Sequence, residues 1–226
     1  DPEQWRAHIR YLIVAFQDER YIKVEGKPML LIYRSNSIHT MPAMRALWDE
    51  ELHQAGFAGL HLVSMAGGFG SDPRVDLFDA YAEFEPWWTI LNLSGKALRR
   101  EKRRRKLARF LRRRLGFVLH ADLSYDYTRL WRRISERTLS PHHYPGAFAD
   151  WDNSPRRTID KAAVLRNFKP EAFRSGMKAQ IDKAHAVGAE YLFFNAWNEW
   201  AEGTYLEPDE KRGYFFLEAI RDALNS

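Results

Sequence analysis

Five short apolar runs, set between stretches of helical periodicity, limit what this chain can fold into more than any other feature. They are "MLLIYR" at 29–34, "LHLVSMA" at 60–66, "DAYAEFEPWW" at 79–88, "YPGAFADWDNSPR" at 144–156 and "EYLFFNAW" at 190–197. Helical spacing governs residues 2–18, where Trp5, Ile9, Leu12, Ile13 and Phe16 share a face, and returns over 41–56, 125–138, 170–187 and 212–224. Strands alternating with helices define the α/β class with a parallel sheet. Polar and aromatic residues gather just past the strand ends: Tyr33 and Arg34; Glu83, Glu85 and Trp87; Trp151, Asp152 and Asn153; Asn198, Glu199, Trp200 and Glu202. A (β/α)8 barrel builds its active site there, and a doubly wound sheet binds at the same edge. No GxGxxG, and no GxxxxGK followed by Ser or Thr, comes after a strand, which argues against dinucleotide and P-loop binding.

The 226 residues, 45% hydrophobic with 8 Trp, 10 Tyr and 14 Phe, are enough for a sizeable core. One domain over 1–226 is expected, with a basic helical segment at 96–116 inside it. A TIM-type barrel needs eight strands and five are visible, so the expectation is a (β/α)8 barrel lacking about three strands at its front. Asp1 leads straight into an amphipathic stretch, as in a piece of a longer protein. There is no cysteine, which fits a reducing compartment, and the cytoplasm is the expected location. The net charge of +5 hides a division: residues 99–114, "RREKRRRKLARFLRRR", hold +10 and leave −5 for the rest. A mildly acidic body with one basic run is not the pattern of a nucleic-acid-binding face. Leu98, Leu107, Phe110, Leu111 and Leu115 interrupt the run at roughly helical spacing. That pattern fits an outer helix with its stripe on the core, or an interfacial helix on an anionic membrane.

The chemistry points to "FFNAWNEWAEG" at 193–203. Glu199 and Glu202, three residues apart, would share a face on one helical turn. Glycoside cleavage typically needs two carboxyl groups, one of them an acid for the leaving oxygen. Trp197 and Trp200 can stack on sugar rings and exclude water, and Gly203 lets the chain turn without a blocking side chain. A carboxyl removed from water keeps its proton to higher pH. The plainer alternative is a glutamate serving as dipole partner at a helix start, with the tryptophans in the core.

The stretch "NAWNEWAEGTYLEPD" with "GYFFLEAI" closely resembles the C-terminal signature of WbsX-type polysaccharide-biosynthesis proteins, which are related to glycoside hydrolase family 99. "RYIKVEGKPMLLIYR", "YPGAFADWDNSPRR" and "FKPEAFRSGMKAQI" follow the family's order, so the resemblance spans nearly the whole chain and is weakest over 90–124. The resemblance implies a barrel acting on a mannose-containing glycan or a surface polysaccharide such as O-antigen, free or lipid-linked. It implies that Glu199 assists the substrate 2-hydroxyl as a base and that Glu202 is the general acid and base of a retaining mechanism. Tyr33, Glu85, Trp87, Asp152, Asn153 and Arg156 would lie near the pocket, with Trp197, Asn198, Trp200 and Arg34 completing it. The rivals are a glycosyltransferase using the same pocket and a glycan-binding module without turnover. A barrel without its front would lack part of the sugar site.

Other patterns carry alternatives. Asp152 and Asn153 either bond sugar hydroxyls or form an Asx-type turn before Pro155. Glu83 and Glu85 point to one side of a strand, toward substrate or toward an arginine, with the ion pair favoured for Glu83. The eight histidines show no ligand spacing, so no metal and no cofactor are expected. No GxSxG elbow is present.

Overall fold

The computed structural model describes residues 1–67, 72, 74–92, 103, 106, 107, 110, 111, 114, 123–158 and 162–226. In chain order the strands are β1 (Lys23–Val24), β2 (Lys27–Ile32), β3 (His61–Ala66), β4 (Ala80–Glu83), β5 (Leu123–Asp126), β6 (His143–Tyr144), β7 (Gly146–Phe148), β8 (Ala163–Arg166), β9 (Phe193–Asn195), β10 (Asn198–Glu199) and β11 (Thr204–Tyr205). The main helices are α1 (Pro2–Phe16), α2 (Met41–Gln54), α3 (Trp87–Leu91), α4 (Tyr127–Glu136), α5 (Pro170–Ala186) and α6 (Phe215–Leu224). Two compact units result: residues 1–83 with 140–143, and residues 84–139 with 144–226.

In the first unit β2, β3 and β4 run parallel, with Met29 opposite His61 and Val63 opposite Ala80, and β1 pairs antiparallel with β2. The Asp1 carboxylate caps α1 by accepting from the Glu3 amide at 2.9 Å, and Pro2 occupies the first turn, where its missing N–H costs nothing. Ile9 and Phe16 of α1 meet Met41, Trp48 and Leu52 of α2 and Leu62 of β3 in one core. Glu51 is buried within this layer, at 4% exposure, and is held by two arginines of α1. Arg10 donates from Nε at 2.6 Å, and Arg6 donates from Nη1.

The second unit also rests on parallel pairs: β5 with β8 and β7 with β9. Its core gathers Tyr127, Leu130, Trp131 and Ile134 of α4, Phe148 of β7, Phe173 and Met177 of α5, and Phe216 of α6. Gly176 is required by this packing, because a Cβ there would stand 2.2 Å from Cε3 of Trp131. The Trp131 ring stacks on Phe148 with centroids 4.8 Å apart.

The alternation read from sequence holds, giving a mixed α/β fold, and the expected helices over 2–18, 41–56 and 170–187 match α1, α2 and α5 closely. Three readings need correction. Residues 125–126 belong to β5, not to the helix, which begins at Tyr127 behind the Asp126 cap. β8 went unseen because "AVLR" is short and its partner β5 lies some forty residues earlier, so no local pattern declares it. The strand over 79–88 stops at Glu83; Pro86 has no N–H to donate to a ladder, and α3 follows directly. Most of the basic run at 99–114 lies outside the described residues. Residues 103, 106, 107, 110, 111 and 114 are helical, with Leu107 and Phe110 more than half exposed, so at those two positions the apolar stripe is not on the core. Among the described residues no helix is long and apolar enough to cross a membrane.

Candidate active site

The two glutamates sit on a hairpin, not on a turn of α-helix. β10 and β11 pair antiparallel, with Glu199 opposite Thr204, and the 3-10 turn Trp200–Glu202 joins them. Glu199 ends β10 and Glu202 ends the turn, and the two are near enough for the Glu199 charge to act on the Glu202 carboxyl. Gly203 closes the turn at φ +62°, and a Cβ there would stand 2.9 Å from the Asp152 amide nitrogen and 3.1 Å from its carbonyl oxygen. Glycine is needed both for the left-handed backbone and for this close approach. The Asp152 amide in turn donates to the Glu202 carbonyl at 2.8 Å.

The 151–153 segment is itself held by β8, the strand invisible in the sequence. The Leu165 amide donates to the Trp151 carbonyl at 2.8 Å, the Asn153 amide to the Ala163 carbonyl at 3.2 Å, and the Ala163 amide to Asn153 Oδ1 at 2.7 Å. Asn153 is buried and its side-chain oxygen serves the backbone; Asp152 is exposed and forms the Asx-type turn, accepting from the Ser154 amide at 2.9 Å. The 3-10 turn Ser154–Arg156 follows and brings Arg156 Nη1 to 3.3 Å from Glu202 Oε1.

Glu202 is mostly buried and Glu199 is exposed. Burial raises the Glu202 carboxyl above the ordinary glutamate value, because its charged form loses hydration. Arg156 and Arg157 pull it back down, while the charge on Glu199 pushes it up. Trp197 and Trp200 are about half exposed. Trp200 lies against Tyr205, centroids 3.8 Å apart and 20° off parallel, and its Nε1 donates to Glu207 at 2.6 Å. One face of this ring is therefore fixed by the protein.

Behind the hairpin stands a network that sequence reasoning missed. Tyr205 donates its hydroxyl to Asp209 at 2.7 Å, and burial with this acceptor pushes the phenol up to about 12. The Arg212 amide donates to Asp209, and its guanidinium donates to Asp150 Oδ2 at 2.5 Å and lies 4.4 Å from the Phe168 ring centroid. Burial raises Asp150, with Arg212 opposing. The Tyr205–Asp209 and Asp209–Arg212 spacings of four and three are local; the Asp150–Arg212 pair, sixty-two residues apart, is not.

The remaining expected residues are placed as follows. Glu85 is fully buried; Oε1 accepts from Thr89 Oγ1 at 2.7 Å and from Arg137 at 2.9 Å, and Oε2 accepts from the Thr89 amide at 3.1 Å. Arg137 thus pairs with Glu85, and Glu83 lies 3.4 Å from His143 Nδ1. The Glu85 carbonyl accepts from Asn195 Nδ2 at 2.9 Å, tying this stretch to the end of β9. Trp87 packs edge-on against Trp151, centroids 5.2 Å apart. Trp197, Asn198, Glu199, Trp200, Glu202, Asp152, Asn153 and Arg156 are thus joined through one hairpin and one supporting segment. Tyr33 and Arg34 belong to the first unit, with the Arg34 guanidinium 5.7 Å from the Tyr33 ring centroid. Among the described residues no three metal-ligating side chains converge.

The fold has a solved counterpart. A glycoside hydrolase-like protein superposes with a TM-score of 0.59 at 13% identity, over 97% of this chain and 60% of its own. That likeness is one of fold, a mixed α/β architecture. Sequence comparison then gives the family. The family model described as Glycosyltransferase WbsX matches residues 1–220, and the chain belongs to that family. Two proteins called Uncharacterized protein WxcX, from Xanthomonas campestris pv. campestris strains B100 and ATCC 33913, are 31% and 32% identical over 225 residues. The chain spans about 30% of the length of these relatives.

Proposed function

We propose that this chain carries the paired carboxyl groups of an enzyme that acts at glycosidic bonds during polysaccharide assembly, on a barrel of (β/α)8 type. Glu202 is assigned as the general acid and base and Glu199 as its partner. The observation that carries the reading is the contrast between the two: a mostly buried Glu202 with a raised pKa, beside an exposed Glu199, in a turn flanked by half-exposed tryptophans. A desolvated carboxyl that can hold its proton, with a second carboxyl near it, is the arrangement that acid–base chemistry at a sugar uses. Glu202 donates its proton to the departing glycosidic oxygen. Glu199 takes the proton of the neighbouring 2-hydroxyl, whose oxygen then attacks the anomeric carbon. Glu202, now ionised, removes a proton from the incoming water, which attacks the anomeric carbon and breaks its bond to the 2-oxygen, while Glu199 returns its proton to that oxygen, giving net retention. The Trp200 ring, fixed by Tyr205 and Glu207, offers its free face to the saccharide.

A second reading is favoured by the family description, which names a glycosyltransferase. In it the same pocket receives an activated donor, and a saccharide hydroxyl takes the place of water.

The test incubates the protein with mannose-containing glycans, with and without sugar nucleotides, and follows product masses. Shortened glycans that disappear in Glu202→Gln support hydrolysis through the pair. Lengthened glycans that require the nucleotide support transfer. Products unchanged in both Glu199→Gln and Glu202→Gln refute the assignment, and no product in any arm leaves a glycan-binding module.

A further inference from the structure

The candidate site holds more positive charge than the proposed reaction uses. Arg156 meets Glu202 through one contact, Nη1 to Oε1 at 3.3 Å, and stays 46% exposed. That is not the pair of short parallel bonds an arginine makes with a carboxylate when both are committed to each other. The bidentate form occurs elsewhere in this chain: Arg74 donates to Asp72 from Nε at 2.8 Å and from Nη2 at 2.6 Å. Arg157, the next residue, is exposed, and both guanidinium charges act on the Glu202 carboxyl. Two neighbouring aspartates have other contacts. Asp150 is bound by Arg212, and Asp152 accepts from the Ser154 amide. Two loosely held guanidinium groups beside a half-buried carboxyl form a surface suited to an oxyanion, since each can turn a fork of N–H donors toward it.

We infer that Arg156 and Arg157 form a subsite for an anionic group, a carboxylate or a phosphate, carried by the saccharide bound beside Glu202. The inference rests on the reading of Glu199 and Glu202 as groups that act on a saccharide. When the anion binds, Arg156 exchanges its long contact with Glu202 for a charge-assisted fork on the ligand. Glu202 then loses a neighbour that favours its ionised form, while burial and the Glu199 charge remain. The carboxyl is therefore best protonated when a charged substrate is in place. Charged substrates are thereby favoured over neutral ones by binding and by acid strength together.

Calorimetric titration with three probes tests this: methyl glucuronide, inorganic pyrophosphate, and methyl mannoside as the neutral control. Arg156→Gln and Arg157→Gln should each weaken binding of the preferred anion about tenfold, the worth of one charge-assisted hydrogen-bond pair, and leave the mannoside unaffected. Binding of the glucuronide alone assigns the charge to the glycan; binding of pyrophosphate alone assigns it to an activated donor. The subsite is refuted if neither anion binds more tightly than the mannoside, or if both variants bind the anion as the unaltered chain does. Both arginines are exposed, and unchanged circular dichroism checks that the variants fold. Glu202→Gln separates this inference from the catalytic one, because it should retain anion binding while losing turnover. Turnover that survives Glu202→Gln, together with arginine-dependent anion binding, overturns only the catalytic assignment. Turnover lost in Glu202→Gln without arginine-dependent binding overturns only the subsite.

Discussion

Glu51 in the first unit and Glu202 in the second are both largely buried glutamates next to arginine, and they are built for opposite ends. Glu51 is enclosed between α1 and α2 and accepts from two arginines, one of them through two bonds at 2.6 and 3.2 Å. The arginines hold its carboxyl below the ordinary value, with Arg10 the larger influence. Glu202 has one long contact with one arginine, and burial raises it. The pair of residue types is the same; the number and geometry of donors decide whether the carboxylate is fixed as an anion or left able to hold a proton. A carboxylate whose oxygens are filled by short bonds ties two helices together. One whose oxygens are under-filled in a half-dry turn can exchange protons with a ligand.

Replacing each glutamate separates the two roles. The largest effect is expected from Glu202→Gln, a loss of turnover of roughly 10²–10⁴-fold, the usual worth of a general acid–base group. Its thermal midpoint should change little, since the carboxyl makes one long contact, with Arg156 at 3.3 Å. Glu51→Gln should do the reverse: the largest fall in thermal midpoint among these variants, with Arg6 and Arg10 left facing an uncharged partner, and no loss of ligand binding at the hairpin. Gly203→Ala stands between them. It should cost about 1–2 kcal/mol for a left-handed non-glycine residue, read by denaturant unfolding. It should also reduce turnover, because the new Cβ displaces Asp152.

The pH dependence of stability has opposite sign at the two sites. Glu51, with its pKa lowered on folding, stabilises the fold above the unfolded glutamate value, and that contribution is lost as pH falls through the folded one. Glu202, with its pKa raised on folding, contributes stability below the unfolded value, and this is lost as pH rises through the folded one. Unfolding of Glu51→Gln and Glu202→Gln across this acidic window should lose one slope each, in opposite directions. The smallest effect is expected at Tyr205→Phe, about 0.5–1.5 kcal/mol for the hydroxyl bond to Asp209, with the ring still stacked on Trp200.

These expectations rest on features that differ in how far the sequence reveals them. The helices α1, α2 and α5 could be read because a 3.6-residue period and an opening proline are local signals. The short apolar strands β2, β3 and β9 could be read for similar reasons, whereas the helical turn expected for Glu199 and Glu202 is a hairpin set by the pairing of β10 with β11. β5 and β8 could not be read: strands of four residues carry little period, and their pairing joins Leu123 to Ala163. The arginine of Glu85 is fifty-two residues away, at Arg137, and the arginine of Asp150 is sixty-two away, at Arg212, so neither could be assigned from spacing.

The sequence by itself determined the α/β alternation and the family signature around Asn195 to Asp209, and it put forward the two carboxylates of the proposed site. Only the tertiary structure decided which carboxylates are filled and which are left open. It supplied donors to the buried carboxyls of Glu85 and Glu51, seated Asp152 against Gly203 through β8, and set Arg156 at 3.3 Å from Glu202. The physical reason is that periodicity and turn chemistry act over a few residues. Desolvation and charge pairing depend on whatever the folded chain brings within a few ångströms, and that is set by strand pairing and core packing across the whole unit.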